Sequence, residues 1–251
     1  MGNSRRLSKL ILTYYMVKVF CSGSCRLLTT IQNGHGKIEP IHSMFTNFFG
    51  INFLGKLHNI KQHIQFIQWI NDTIDIPPAI LTSFLTSFST LEGIEDKKLI
   101  PSKKETIKNA LKGCEYYIFE ICSLKLYEQN GYQVQFELTP DYTCTVQSDT
   151  DLYNDLKILR DLIPKEKKII FQVHFRPNII YNDSSKRIEK RDVIYDVINT
   201  FCTTNDNVYV YDPSIVLRAD NSIFDGDTHF NHKGYETSFN YLYENYMKKS
   251  S

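Results

Sequence analysis

Four short runs rich in β-branched and aromatic residues punctuate this chain: Tyr14 to Cys21, Glu115 to Cys122, Lys168 to His174 and Asn207 to Asp212. Each is mostly continuous in apolar character rather than alternating, the pattern of a strand covered on both faces. Between them, apolar residues recur at spacings of three and four. Ile60, Ile64, Ile67, Ile70 and Ile74 form one such stripe, and Leu152, Leu156, Leu159 and Ile163 a second. Ile194, Val197, Ile198 and Phe201 form a third, and Tyr235, Phe239, Leu242 and Tyr246 a fourth. Strands alternating with amphipathic helices predict an α/β fold: a three-layer α/β/α, flavodoxin-like arrangement around a mainly parallel sheet.

Local punctuation sets the expected boundaries. The first strand covers about 14–21, and a helix starts near Leu27 and breaks at Gly34-His35-Gly36. The Ile60–Ile74 helix stops at Pro77-Pro78, and a second apolar helix runs from Ile80 to Leu91. Ser102-Lys-Lys-Glu105 reads as a capping box that opens a helix ending near Gly113. Residues 126–147 read as an inserted, partly β excursion, because Gly131 to Leu138 alternates before Pro140 breaks it. Asp212 and Pro213 read as the N-cap and first position of a short helix. Residues 1–13 form a basic lead-in and 14–251 a single α/β domain; residues 37–57 carry no clear period.

Composition narrows the function classes. With 251 residues, 42% of them hydrophobic and 23% charged, the chain buries a sizeable core and is not of disordered type. A formal charge of +1 offers no global field for nucleic acid, and the Lys186-Arg187 and Lys190-Arg191 pairs read as a solvated helix face. Arg5, Arg6 and Lys9 before Leu10-Ile-Leu-Thr-Tyr-Tyr-Met-Val17 mimic a signal peptide, but Lys18 interrupts the run and no cleavage site follows. No segment has the length of a membrane span. The six cysteines form no CxxC pair, so free thiols and a cytoplasmic location are expected, and a Cys21–Cys25 disulfide only in an oxidising compartment. No cofactor is expected.

In open parallel sheets the site lies at the carboxyl ends of the strands. That rule gathers the turn after the first strand, the stretches after Cys122 and His174, and the loop after Asp212. At the first strand, Gly23-Ser24-Cys25 offers a nucleophile on a strand-to-helix turn, with backbone N–H groups near it for an oxyanion. Either Ser24 or Cys25 can serve, and the plainer reading is a glycine turn that ends a strand. The loop Phe224 to Tyr235 carries Asp225, Asp227, His229 and His232. Asp227 can orient His229, and His229 can take a proton from Ser24; Asp225 and His232 are the reserve carboxylate and base. The same four residues form a metal-ligand set, although four ligands from one loop without a cysteine make an unusual catalytic site. His174 reads as a satisfied rim histidine. Arg26 has three readings: an ion pair with Glu120, one with Asp227, or a holder of an anionic substrate group.

A Gly-Ser-Cys turn after the first strand, the α/β alternation, and Asp227-Thr-His229-Phe before the last helix together resemble the SGNH (GDSL-like) hydrolase superfamily. The turn looks like the branch named for a Gly-Ser-Cys start, and the loop is similar to the Asp-Thr-His-Trp loop of SGNH-like alginate O-acetylation proteins. The resemblance implies Ser24 as nucleophile in a Ser24–His229–Asp227 triad. It also implies an esterase or O-acyltransferase working on acyl esters, those of a glycan among them. The chain departs from the superfamily where Gly226 stands in place of the usual Asp three residues before the histidine, and where the Gly-x-Asn-Asp after the third strand is missing. Ser123 and Asn178 are the candidate oxyanion side chains, and Gly50 or Gly55 the candidate glycine. Two other functions remain open: a non-catalytic glycan- or partner-binding module that retains the fold, and a metal-dependent hydrolase built on the Asp/His loop.

Overall fold

The four apolar runs lie side by side and parallel in the computed structural model, which describes residues 17–34, 36–40, 57–85, 99–135, 141–175, 185–217, 221–225 and 229–248. In chain order the elements are β1 (Val17–Ser22), α1 (Cys25–Gln32), β2 (Ile38–Pro40), α2 (Ile60–Ile70), α3 (Pro78–Leu85), α4 (Leu99–Lys112) and β3 (Tyr116–Ile121). An excursion follows, made of β4 (Lys125–Gln129), β5 (Tyr132–Gln133) and β6 (Thr143–Val146). Then come α5 (Asp149–Asp161), β7 (Lys168–Val173), α6 (Ser185–Thr203), β8 (Val208–Tyr211), α7 (Ser214–Leu217), β9 (Phe224–Asp225), β10 (His229–Phe230) and α8 (His232–Leu242).

The main sheet has the order β2-β1-β3-β7-β8 with every ladder parallel. Val19 stands opposite Tyr116, and Glu120 opposite Gln172. From β1 the chain steps outward to β2, then returns to place β3 on the other side of β1. The order therefore reverses between β1 and β3, where a parallel sheet opens its crevice. Phe20, Phe119 and Phe171 pack on one face with residues of α2, α4, α5 and α6, and Phe20 stacks on Phe66 with centroids 5.7 Å apart. Val19, Cys21, Ile118 and Ile170 pack on the other face with Leu27 and Ile31 of α1 and Phe239 and Leu242 of α8. Burying apolar area on both faces is what holds the central strands.

Several boundaries differ from expectation, each for a local reason. The first isoleucine-striped helix ends at Ile70 rather than beyond Ile74, because Asn71 caps it and Asp72 takes a left-handed φ of 60°. Pro78 therefore opens a helix instead of closing one, at the position where a missing N–H costs nothing. Residues 86–91 of that expected helix lie outside the described residues. Helix α4 begins at Leu99, so Pro101 and Ser102 sit inside its first turn and the Ser102 box does not open it. The three-residue β2 was not expected. The 126–147 excursion forms a separate antiparallel sheet of order β5-β4-β6. Residues 1–13 and the first three of the expected opening strand lie outside the described residues. Among the described residues no helix is long and apolar enough to cross a membrane.

Candidate active site

Strand β1 ends at Ser22, and Gly23 lets β3 close against the turn: a Cβ there would stand 2.5 Å from Glu120 Cβ and 3.0 Å from Leu27 Cδ2. Ser24 then caps α1 in extended conformation, its hydroxyl accepting from Arg26 N at 3.2 Å. The same hydroxyl donates to Glu120 Oε2 at 2.5 Å, and the Ser24 backbone N–H donates to that oxygen at 2.7 Å. The Ser24 N–H, expected to face an oxyanion, is thus spent on a carboxylate.

Glu120 is fully buried on the second-to-last position of β3, and His174 follows the end of β7 on the same face. Glu120 Oε1 lies 3.4 Å from His174 Nδ1, and Arg26 Nη1 lies 3.2 Å from that same nitrogen. A neutral imidazole nitrogen either donates or accepts, so His174 bonds fully to the carboxylate or to the guanidinium, not to both. Burial drives the His174 pKa down to about 4; the Glu120 contact raises it, and the charges of Arg26 and Arg191 lower it further. The ring is therefore neutral near pH 7. Burial alone would raise the Glu120 pKa, but His174, the Ser24 hydrogen bond and the Arg26 charge hold the carboxyl below the usual carboxylate range. Glu120 is ionised, with its charge enclosed by donors.

A second histidine braces this network from the opposite side of the strand. His63, fully buried on α2, places Nε2 3.0 Å from the Glu120 carbonyl oxygen and Nδ1 3.1 Å from Ser22 Oγ. Burial pushes its pKa down to about 4 as well. One imidazole thus ties the carboxyl end of β1 to that of β3.

Above the network opens a cavity of about 410 Å³, lined in part by Ser24, Arg26, His58, Ser123, His174 and Arg191. Ser123 Oγ accepts from Lys125 N at 3.0 Å and keeps its own proton to donate. Arg191 Nη1 donates to the Phe175 carbonyl at 2.6 Å. Another cavity, of about 310 Å³, is lined by Ile67, Lys108, Tyr117 and Leu162, and its described lining includes no serine, threonine or cysteine.

Ser24, Arg26, Glu120, Ser123 and His174 therefore come together. His229 opens β10 opposite Asp225 of β9. Phe230 beside it meets the Phe175 ring edge-on at 5.4 Å, so this hairpin sits next to the residue that follows His174. Asp227, Asn178, Gly50 and Gly55 lie outside the described residues, as do the side chains of Cys25, Asp225 and His229. His232 is the exposed first residue of α8 and does not line the cavity. Donor atoms of Glu120, Cys122 and His174 lie within 4.8 Å of one another. A metal ion there would face the Arg26 guanidinium at a ligand nitrogen, so the residues present fit a metal poorly.

His174 is the satisfied rim histidine that the sequence suggests, but sequence reasoning did not join it and Glu120 to Ser24, and it did not single out His63 or Arg191. The signals were present: a glutamate inside Tyr-Tyr-Ile-Phe-Glu-Ile, and a histidine three residues after Ile60 on the apolar stripe. Neither residue sits in such a place without a partner. Arg191, read as part of a solvated basic face, turns its head group to the rim.

The chain is thus an α/β fold with a serine turn and a cavity at the point where its strand order reverses. The chain belongs to the TviD N-terminal domain family, whose model matches residues 17–143. No curated protein matches it. Among solved structures, a Clostridium thermocellum family 3 carbohydrate esterase aligns at 13% identity with a TM-score of 0.37, covering 91% of this chain and 94% of that one.

Proposed function

We propose that this protein acts on acyl esters of a glycan, as an esterase or O-acyltransferase, with Ser24 as nucleophile, His229 as base and Asp227 orienting the imidazole. The observation that carries this reading is the Ser24 hydroxyl at the carboxyl end of β1, on the wall of the rim cavity. Membership of the TviD N-terminal domain family supports an O-acetyltransferase-like role on a glycan. In the proposed reaction Ser24 Oγ attacks the acyl carbonyl while its proton passes to His229 Nε2. The ester C–O bond then breaks, and the leaving alcohol takes that proton. Water or a sugar hydroxyl resolves the acyl-enzyme by the reverse proton path. Glu120 is too weak a base to serve alone, because its carboxyl is held below the usual range; it orients Ser24 instead. Ser123 or Asn178 supplies a side-chain donor to the oxyanion.

The Ser24–Glu120 hydrogen bond also favours a second reading, in which the serine is purely structural and the cavity binds glycan without chemistry. Fluorophosphonate labelling separates the two. Labelling that disappears in Ser24→Ala, with aryl-ester turnover lost in both Ser24→Ala and His229→Ala, supports the enzyme. Turnover that survives Ser24→Ala and dies in Cys25→Ala moves the nucleophile to the thiol. Unchanged turnover in His229→Ala overturns the triad.

A further inference from the structure

The outer strand of a sheet carries a row of backbone groups that another strand can take up. In the two larger sheets most such edges are closed. Strand β2 stops after three residues at Pro40, and at β8 the Val210 carbonyl oxygen accepts from the Tyr246 hydroxyl at 2.9 Å. At β5 the Gln65 amide stands in for a strand: it accepts from Gln133 N at 2.7 Å and donates to the Gln133 carbonyl oxygen at 2.9 Å. Strand β6 is different. Residues 141–146 are all exposed, and Val146 is 61% exposed although apolar. Gln147 N–H donates to the Leu124 carbonyl oxygen at 2.9 Å, and bonded positions alternate along an antiparallel ladder. Thr143 and Thr145 therefore turn their backbone groups to β4, while Cys144, Val146 and the adjoining Tyr142 turn theirs outward. Among the described residues these outward groups have no partner.

We propose that β6 is the pairing edge of a homodimer, in which two copies of this chain join their small sheets into one antiparallel sheet across a two-fold axis at Cys144. The sequence of the edge selects a second copy, because Tyr-Thr-Cys-Thr-Val is close to self-complementary. A two-fold contact sets residue i against j and j against i. Centred on Cys144, it sets Cys144 against Cys144, Thr143 against Thr145 and Tyr142 against Val146. The outward groups of Tyr142, Cys144 and Val146 then meet as hydrogen-bonded pairs. Threonine with threonine, and an aromatic with a β-branched residue, are favourable cross-strand pairs. No residue from 142 to 146 is charged, and Asp141 meets Gln147, so no like charges face each other. Val146 also lines the rim cavity, so Tyr142 of the second copy comes to stand at the wall of that cavity. The dimer stands apart from the reaction assigned to Ser24 and adds a residue to the cavity from outside the chain.

The test is sedimentation equilibrium on the full chain under reducing conditions, from about 5 to about 500 μM, because so short an edge buries less than about 1,200 Å² and associates weakly. Dimer grows across that range. Cys144→Lys sets two ammonium groups against each other and raises the dimer dissociation constant by about 10-fold or more. Val146→Pro removes an outward donor, leaves the β4 ladder intact and weakens the dimer as well. Ile158→Lys, at an exposed position of α5, changes nothing. Cross-linking reads the register. Diamide takes one hydrogen from each of two thiols as the S–S bond forms, and is itself reduced to the hydrazine. It links Cys144 to Cys144, whose Cα atoms stand about 5.5 Å apart in the pair, and mass spectrometry identifies the joined peptide. The double variant Cys144→Ser/Thr145→Cys keeps an exposed thiol, but its copies lie diagonally, beyond about 7 Å, and it does not link at that strand. A chain that stays monomeric throughout overturns the homodimer and leaves the edge to a different partner. A dimer indifferent to Cys144→Lys, or equal linking at the strand in the double variant, overturns it too.

Discussion

The carboxyl rim of the main sheet and the small β5-β4-β6 sheet are adjacent in sequence and opposite in character. Every residue of β3 is buried, whereas every residue of β6 is exposed. Both regions carry glutamates. Glu120 on β3 is enclosed by the Ser24 N–H, the Ser24 hydroxyl and His174, while Glu128 on β4 faces solvent. A charge in water costs the fold nothing and reveals little. A charge in a dry strand must be partnered, so its presence points to a built network.

The largest effect expected from this contrast is catalytic. Ser24→Ala lowers aryl-ester turnover by about 1,000-fold or more, the scale on which removing a nucleophile acts. Thr145→Ala, on the exposed strand, leaves turnover unchanged. Equal turnover in the two variants would break the comparison at its functional end.

Stability comes next. Glu120→Ala strips the acceptor from the buried Ser24 N–H and hydroxyl and removes the carboxylate beside Arg26, and costs about 3–5 kcal/mol in urea unfolding. Glu128→Ala stays within about 0.5 kcal/mol, as exposed positions do. A smaller loss of about 1–3 kcal/mol is expected for Gly23→Ala, whose new methyl would press on Glu120 Cβ.

The pH dependence sharpens the same contrast. The folded pKa of His63 is about 4, below the ordinary 6.5, so the fold keeps the neutral ring. Its stabilisation is complete above pH 6.5 and is lost as pH falls towards 4, because the unfolded chain takes up the proton first. Between pH 7 and pH 5 this group alone lowers unfolding free energy by about 2 kcal/mol. His63→Gln, which can still bridge Ser22 and the Glu120 carbonyl, removes that part of the slope. A slope unchanged in the variant would show that the ring titrates normally. The smallest effect belongs to Gly131, at φ 82° in open space between β4 and β5, where Gly131→Ala costs about 1 kcal/mol and leaves activity intact.

What could be read from the sequence follows the same line. β1, β3, β7 and β8 were legible because strands covered on both faces write continuous apolar runs. β2 was not, since three residues ending in proline carry no period. The Ser102 box misled because serine and glutamate three apart also occur within a first turn. At the site, the strand-to-helix turn at Ser24 was legible, whereas the network that Ser24 forms with Glu120 and His174 was not. Arg191 was invisible, because a helix periodicity locates a face but not the reach of a long side chain. The pairing of Ser24 with Glu120 joins residues 96 apart, and no local spacing encodes such a contact.

The Tyr116 hydroxyl reaches the Met247 carbonyl, 131 residues further along, and the turn at Gly34 has room only for a hydrogen because the Phe239 ring stands 2.4 Å from where a Cβ would be. A ribosome delivers these partners in order. When residues 17–143 have emerged, β1 and β3 are present, but the sheet still lacks β7 and β8, and α1 still lacks the helix that covers it. At about 5–20 residues per second, the apolar flank of Ile118 waits seconds for its cover. The serine turn is thus made early in synthesis and closed late, and the interval in which this chain is vulnerable to aggregation is written into its strand order.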